Sequence, residues 1–145
     1  MMIFLCVHAL ATIYMTGVIW FVQLVHYPLL GRIGPAHFEQ YHQAHTARTG
    51  WVVGPSMLIE LTCSIGLAVS PPGDLGHLLP TLGLVLLSLI WVTTALFSVR
   101  YHRRLSGGFT NSAHRLLVRT NWIRTILWSI RSILALYFLL RISAS

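Results

Sequence analysis

Four long apolar stretches dominate the chain and leave few folds open to it. They cover residues 2–25, 51–70, 78–99 and 116–140. Each is close to the ~20 residues that a helix needs to cross the ~30 Å hydrocarbon core of a bilayer. The first has no basic residue before it and no small-residue cleavage site after it, so we expect it to remain as a membrane span. The pattern predicts an all-α, four-transmembrane-helix bundle that forms a single domain over residues 1–145.

The composition excludes the soluble alternatives. Hydrophobic residues make up 55% of the chain and charged residues 9%, and the mean hydropathy is +0.71. A soluble domain carries about 25% charged residues, so an ordinary cytosolic domain or a disordered chain is excluded. Cys6 and Cys63 lie far apart inside apolar stretches, and the sequence has no C-x-x-C pair. We therefore expect two small core residues and no disulfide chemistry.

The basic residues indicate topology and lipid contact. The formal charge is +7, with ten arginines and no lysine. A nucleic-acid-binding protein would show its basic residues on a polar surface beside aromatics that stack on bases. Here most arginines lie at the ends of apolar runs, where they contact anionic headgroups and set orientation. We therefore expect the lipid bilayer as the partner, and no nucleic acid.

The distribution of arginine between the connections predicts the orientation. The connections after the first and third stretches are rich in arginine, and the second connection holds only Asp74; the arginines are Arg32, Arg48, Arg100, Arg103, Arg104 and Arg115. Connections rich in Lys and Arg stay in the cytoplasm. We predict a bacterial cytoplasmic (inner) membrane protein with both termini outside (N-out/C-out).

The first connection has a helical pattern of its own. Gly34 and Pro35 resemble a helix start, with proline at the first helical position. Gly50 would break or kink this helix before the second span. Phe38 and Tyr41 would form its apolar face. We therefore predict a short interfacial helix over residues 35–48, between the first two spans.

Polar residues recur at helical spacing on every span, whereas a lipid-facing surface should be apolar. The predicted polar stripes are His8, Thr12, Thr16, Gln23 and Tyr27; Ser56, Glu60 and Ser64; Thr94, Ser98 and His102; and Thr120, Arg124, Trp128 and Arg131. Serine and threonine in membrane helices also bond to their own backbone or join neighbouring helices. The ionisable members need a partner or water, so the stripes predict a polar interior or a ligand cavity.

Glu60, Arg124 and Arg131 are the candidate catalytic residues. Glu60 lies ~13 Å along its helix from Trp51, and Arg124 lies equally far from Arg115, at 1.5 Å per residue. We therefore predict contact between Glu60 and Arg124, with Arg131 deeper, facing the outer side or a bound anion. The pair is either an ion pair that fixes helix register or the charged floor of a site.

The histidines predict a metal site at the cytoplasmic end. Six of the eight fall in one layer there, whereas His8 and His77 lie near the outer end. Glu39, His42 and His45 follow at steps of three, which places their side chains on neighbouring turns, and Glu-x-x-His is a unit of di-iron sites. The candidate metal ligands are His26, Glu39, His42, His45, His102 and His114. Iron is the first candidate, with copper or zinc next. Headgroup contact and packing are the alternative roles.

Haem b is the other candidate cofactor, since axial ligation needs only two histidines on facing elements. His8 is a candidate outer ligand. Trp128 either lines a cavity for a flat, apolar substrate such as a quinone or polycyclic phenol, or packs in the core. Trp20, Trp51 and Trp122 are predicted to form an aromatic belt at the inner interface.

Three segments carry a resemblance: GVIWFVQLVHYPLL, HFEQYHQAHTARTGWVVGP and HRLLVRTNWIRTILW. They are similar to a group of small bacterial four-span integral membrane proteins, over most of the chain. The resemblance implies the four-span topology and no activity. In size the chain also resembles the membrane anthrone-oxygenase-like proteins and the histidine-dependent haem protein that oxidises protoporphyrinogen, and no catalytic residue is carried over from either.

The resulting functional prediction is a membrane-embedded metal- or haem-binding protein, redox-active on a lipophilic substrate, and so a membrane oxidoreductase. The alternative is a non-catalytic accessory subunit of a larger membrane complex, which holds partner helices with its stripes and lipid headgroups with its arginines. A third interpretation is a small transporter with Glu60 as its proton-linked carboxylate. That interpretation requires a homo-oligomer, because four short helices enclose little volume.

Overall fold

The protein is a bundle of four helices joined by short connections. The computed structural model describes residues 2–144, apart from the side chain of Asp74. The helices are α1 (Met2–Leu30), α2 (Pro35–Val69), α3 (Leu78–Leu105) and α4 (Asn111–Ser143), with a 3₁₀ turn at Gly73–Leu75. All four are long and apolar enough to cross a membrane, with mean hydropathy of 1.6–2.2 over their most apolar windows. The predicted all-α class and the four candidate spans are confirmed.

The predicted interfacial helix is not found as a separate element. Residues 35–48 form the first turns of α2, which runs unbroken through Gly50 and Pro55 to Val69. One glycine costs a helix only about 1 kcal/mol relative to alanine, and the hydrogen bonds on either side of it continue. The 35 residues of α2 extend ~52 Å, well beyond the ~30 Å of a hydrocarbon core. The amphipathic segment is therefore a continuation of the second span.

The helices pack in a ring, each against its two neighbours, with α1 and α4 closing the bundle. Three apolar clusters fill the interior, one around Phe38 and Leu117, one around Met57 and Leu87, and one around Leu67 and Phe138. Cys63 is buried, as predicted for a core residue, whereas Cys6 is only half-buried; both are free thiols. The middle of each helix exposes mainly apolar side chains, among them Leu10, Leu58, Leu89 and Ile133, as lipid contact requires.

The predicted polar stripes face inward. The fully buried members are His8, Thr12, Gln23, Tyr27, Glu60, Ser64, Ser98, Arg124, Trp128 and Arg131. The other predicted members are half-buried. Helical spacing therefore identified the interior side of every helix. By contrast, Trp20, Trp51 and Trp122 are exposed on the outside, as an aromatic belt would be.

Two π-helical segments interrupt the regular helices on opposite sides of the bundle. They are Val22–His26 in α1 and Thr94–Ser98 in α3. The Tyr27 N–H donates to the Val22 carbonyl, and the Val99 N–H donates to the Thr94 carbonyl. Such single-turn bulges occur frequently at functional sites. Both adjoin the interior cavity described below.

Candidate functional site

A buried ion pair lies at the centre of the bundle. The Arg131 Nε donates to Glu60 Oε1 at 2.9 Å, and the Trp128 Nε1 donates to Glu60 Oε2 at 3.0 Å. The rest of the guanidinium donates to the Ser64 hydroxyl, at 2.9 Å, and to the Gly83 carbonyl. Both charged side chains are almost fully buried, at 2% and 0% exposure. Each charge is therefore neutralised and hydrogen-bonded, as a structural ion pair requires.

The predicted contact between Glu60 and Arg124 is wrong, because the carboxylate pairs with Arg131. Two assumptions in the depth estimate fail. The estimate counted residues from Trp51 as if the helix began there, but α2 passes Trp51 without a break and begins at Pro35. Side chains in a helix also lean toward its N-terminus, so the long Arg131 side chain reaches a level below its own Cα. Arg131 therefore contacts Glu60, and Arg124 belongs to a different hydrogen-bond network.

That second network joins α1, α2, α3 and α4 through a chain of hydrogen bonds. The His42 Nε2 lies 3.0 Å from His102 Nδ1, and the His102 Nε2 lies 3.1 Å from the Tyr27 hydroxyl. Arg124 Nη2 donates to the same Tyr27 oxygen at 3.5 Å. When His102 carries its hydrogen on Nδ1, the Tyr27 hydroxyl donates to His102 Nε2, and the His102 Nδ1–H donates to His42 Nε2. We call His42, His102 and Tyr27 the relay.

Arg124 is a buried cation whose contacts are all neutral. It is 8% exposed and donates to the Asn121 side-chain oxygen and, at 3.4 Å, to the Thr94 hydroxyl as well as to Tyr27. Its Nε has no hydrogen-bond partner within residues 2–144. The single ion pair among the described residues is that of Glu60 with Arg131. A buried charge in a membrane bundle is costly unless it is paired, so this site favours an anion.

An interior cavity of about 440 Å³ lies against this network. Its polar wall includes Tyr27, His45, His102 and Arg124. Its apolar wall comes from all four helices and consists mainly of Met15, Ile19, Val53, Met57, Val99 and Trp128. The first residue of each π-helical segment, Val22 and Thr94, also lines it. A mostly apolar cavity with a few convergent polar groups is typical of a small-molecule site.

Four of the six predicted metal-binding residues come together beside this cavity. The ring centroids of His26 and His45 are 4.1 Å apart, those of His42 and His102 are 5.2 Å apart, and those of His45 and His102 are 5.7 Å apart. The ring nitrogens of His42 and His102 face each other rather than one common point. Among residues 2–144, no three histidine, cysteine or acidic side chains are arranged to hold a metal ion.

The other two predicted ligands lie apart from this cluster. Glu39 is exposed and accepts a hydrogen bond from Gln43 at 3.4 Å. It lies 100° around α2 from the buried Phe38, which marks the inward face. His114 contacts the Tyr27 carbonyl through Nε2 at 2.7 Å, and its ring covers Gly31, where a Cβ would come within 2.8 Å of it.

His8 and Trp128, the predicted cofactor contacts, do not share one site with the histidines. His8 lies 3.5 Å from Arg131 and 3.4 Å from Ser64, within the ion-pair network. It precedes His26 by 18 residues on α1, about 27 Å at 1.5 Å per residue. One haem iron therefore cannot bind both His8 and a member of the histidine cluster. Trp128 lies between the ion pair and the cavity, because it donates to Glu60 and also lines the cavity.

Sequence reasoning placed Tyr27 on a stripe but missed its position in the relay. It also missed Asn121, which donates to the Gln23 side chain at 2.7 Å and accepts from Arg124. The available signal was spacing, since Gln23 and Tyr27 are four residues apart and Asn121 and Arg124 are three apart on their helices.

Comparison with known proteins adds no assignment: no family model, no curated protein and no solved structure matches the chain.

Proposed function

We propose that the protein binds a lipophilic weak acid, such as a phenol or hydroquinone, within the membrane and accepts its proton. The observation that carries this proposal is Arg124, a buried guanidinium that lines the cavity with only neutral partners. An ionised ligand oxygen beside it would supply the missing negative charge. Charge-assisted hydrogen bonds of this kind are roughly twice as strong as neutral ones.

The rest of the cavity favours an apolar ligand body. Trp128 and Met57 line it as large, buried side chains, and the cavity volume of about 440 Å³ accommodates a ring system of two or three fused rings. Among the residues that the structure describes, no carboxylate lines the cavity, so no lining side chain there repels an anion. A ligand with one acidic oxygen on a flat apolar body fits both walls.

The relay supplies a route for the proton. The ligand O–H bond breaks as its proton passes to the Tyr27 oxygen, while the Tyr27 proton passes to His102 Nε2. The imidazolium that forms at His102 is held by His42, 3.0 Å from its other nitrogen. The products are a ligand anion beside Arg124 and a proton shared by two histidines. Oxidation of that anion, the redox part of the predicted function, would need an electron acceptor such as a transition metal or haem.

In this proposal the protein works in a bacterial cytoplasmic membrane with both termini outside. The cavity then lies toward the cytoplasmic end of the bundle, on the side of the arginine-rich connections. A proton taken by His42 and His102 would therefore exchange with the cytoplasm.

The direct test is binding of 4-nitro-1-naphthol, whose anion absorbs visible light and whose neutral form does not. We expect the full-length protein in nanodiscs to bind it as the anion at a pH where empty nanodiscs keep it neutral. A tenfold shift in its ionisation corresponds to about 1.4 kcal/mol of preferential binding of the anion. If the relay holds the proton, less than one proton per bound ligand is released to a weakly buffered solution.

His102→Phe keeps the ring volume and removes the acceptor, so this variant should release a full proton for each anion bound. His77→Phe is the matched control, because His77 is exposed and far from the cavity. Binding of the neutral form alone would contradict the proposal. Absence of binding by the folded protein would contradict it too, and would favour the accessory-subunit interpretation.

A transition metal at the histidine cluster is a second candidate, favoured by the closeness of His26, His42, His45 and His102. Metal ligation would replace the hydrogen bond between His42 and His102, since both use ring nitrogens. Under this hypothesis, elemental analysis of protein purified without chelators gives near-stoichiometric iron, copper or zinc. The double variant His42→Ala/His45→Ala should lose the metal and keep its helical circular dichroism.

The matched control for the metal is His37→Ala/His77→Ala, which removes two exposed histidines outside the cluster. Metal retained by the cluster variant, or metal far below one per chain in the natural protein, would overturn this second candidate.

A further inference from the structure

A second cavity lies between α1 and α2 and faces the outside of the bundle. Its volume is about 550 Å³, and it is lined by Ile13, Tyr14, Gly17, Phe21, Val52 and others. Tyr14, Phe21 and Val52 are 45%, 59% and 46% exposed and form its apolar part, beside the polar residues His26, Arg48 and Thr49. We call this cavity the groove. In a membrane it opens toward lipid.

The groove adjoins the interior cavity. The two share Val18, Val22, His45 and Thr49 as lining residues. His45 stands at the boundary, held by a hydrogen bond of 3.0 Å between its Nδ1 and the Thr49 hydroxyl. A ligand that occupied both cavities would pass between α1 and α2 beside His45.

The shape and charge of the groove fit an alkyl chain. From Ile13 to His26 the lining spans about 20 Å of helix at 1.5 Å per residue, which exceeds the ~15 Å depth of one leaflet. The Tyr14 hydroxyl donates to the Val52 carbonyl at 3.4 Å across one end, and Arg48 lies one turn before Val52 on α2. At the other end His26 stacks on His45, which lines both cavities, with their ring centroids 4.1 Å apart. None of the described residues that line it is a carboxylate. An acidic head would thus be drawn to the histidine end, with its chain toward Tyr14.

We infer that the groove holds the alkyl tail of the same ligand whose acidic head lies in the interior cavity. The ligand class is then a membrane-resident alkylphenol or alkylhydroquinone that enters sideways from the bilayer, not a water-soluble phenol. This inference rests on the proposed function and adds the tail to it.

Gly17 provides the test, because it lines the groove and a Cβ at this position would meet no other atom within 4 Å. Gly17→Phe should fill the groove without disturbing the helices. Gly54→Phe is the matched control, since Gly54 is equally free of neighbours and lines neither cavity. The probes are 4-nitro-1-naphthol and its 2-decyl derivative, and their binding in nanodiscs is measured by the visible absorption of the bound anion. Because the decyl compound dissolves in the bilayer, its affinity is expressed against its concentration per lipid.

We expect Gly17→Phe to weaken binding of the decyl probe about tenfold or more, as overpacking of a filled site does, and to leave the untailed probe within about twofold. Gly54→Phe should change neither. A decyl probe carrying a diazirine at the tail end should also label the peptide that contains Tyr14 and Phe21 in the natural protein, which tests the groove without a substitution.

The outcomes separate the two proposals. If the untailed probe binds but Gly17→Phe affects both probes alike, or neither, the groove inference is overturned and the proposed function stands. Labelling confined to other peptides overturns it in the same way. If neither probe binds the natural protein as an anion, the proposed function fails and the inference fails with it.

Discussion

Replacing Arg124 with glutamine is expected to weaken binding of the 4-nitro-1-naphthol anion about 30-fold or more, since removing one partner of a buried charge pair costs about 2–5 kcal/mol. Glutamine keeps a hydrogen-bond donor and removes the charge. The neutral form of the probe should bind Arg124→Gln almost as well as the natural protein. Titration of the bound probe by its visible absorption measures both affinities.

Arg119→Gln is the matched control, because Arg119 lies on the same helix and is exposed. It changes the net charge of the protein equally and should leave anion binding unchanged. Equal losses in both variants would mean that the overall positive charge, and not the buried guanidinium, attracts the anion. An unchanged affinity in Arg124→Gln would contradict the role of Arg124 altogether.

Much of the fold follows from hydropathy and helical period. Lipid makes the outside of each helix apolar, so any polar residue that recurs at steps of three or four has to face the interior. This reasoning correctly placed His8, Glu60, Arg124 and Arg131 inside the bundle. The positions of the histidines near the predicted cytoplasmic ends of their helices also placed His42 and His102 in one layer, where the structure joins them.

The pairing of those residues did not follow from the sequence. Depth depends on where each helix enters the membrane, on its tilt and on the direction in which each side chain leans. For Glu60 these effects changed the partner from Arg124 to Arg131, 7 residues later on the same helix. The π-helical segments shift the register further, because Val22–His26 and Thr94–Ser98 each insert a wider turn beside the cavity. Apolar periodicity carries no signal for such a turn.

Residue spacing alone also failed to predict which of the candidate metal ligands face the interior. A step of three places Glu39 and His42 on neighbouring turns, yet one turns outward and the other inward. Phe38 decides this, because its large ring occupies the inward position and Glu39 follows it by 100° around the helix. A motif spacing therefore fixes which side chains are adjacent, and packing decides which of them face the interior.

The second large effect concerns the ion pair of Glu60 and Arg131. Glu60→Leu and Arg131→Met should each destabilise the bundle by about 3–5 kcal/mol, because each leaves an uncompensated charge buried. The double variant should recover most of that loss, since it leaves no charge and roughly conserves volume. It should fall short of full recovery because Trp128 Nε1 loses its acceptor, and because the Gly83 carbonyl and the Ser64 hydroxyl lose the donors that Arg131 supplies. The double-mutant cycle compares the free energy of unfolding of the four proteins, measured by circular dichroism as SDS is added to the detergent.

Arg141→Met is the control for loss of an arginine from α4, because Arg141 is exposed near the end of that helix and should tolerate the change. A double variant as unstable as the sum of the two single variants would show that Glu60 and Arg131 stabilise the bundle independently. Strong coupling between them, with naphtholate binding intact in the double variant, would instead show that the ion pair and the ligand site have separate roles. The ion pair would then hold α2 against α4, and Arg124 with the relay would act on the ligand.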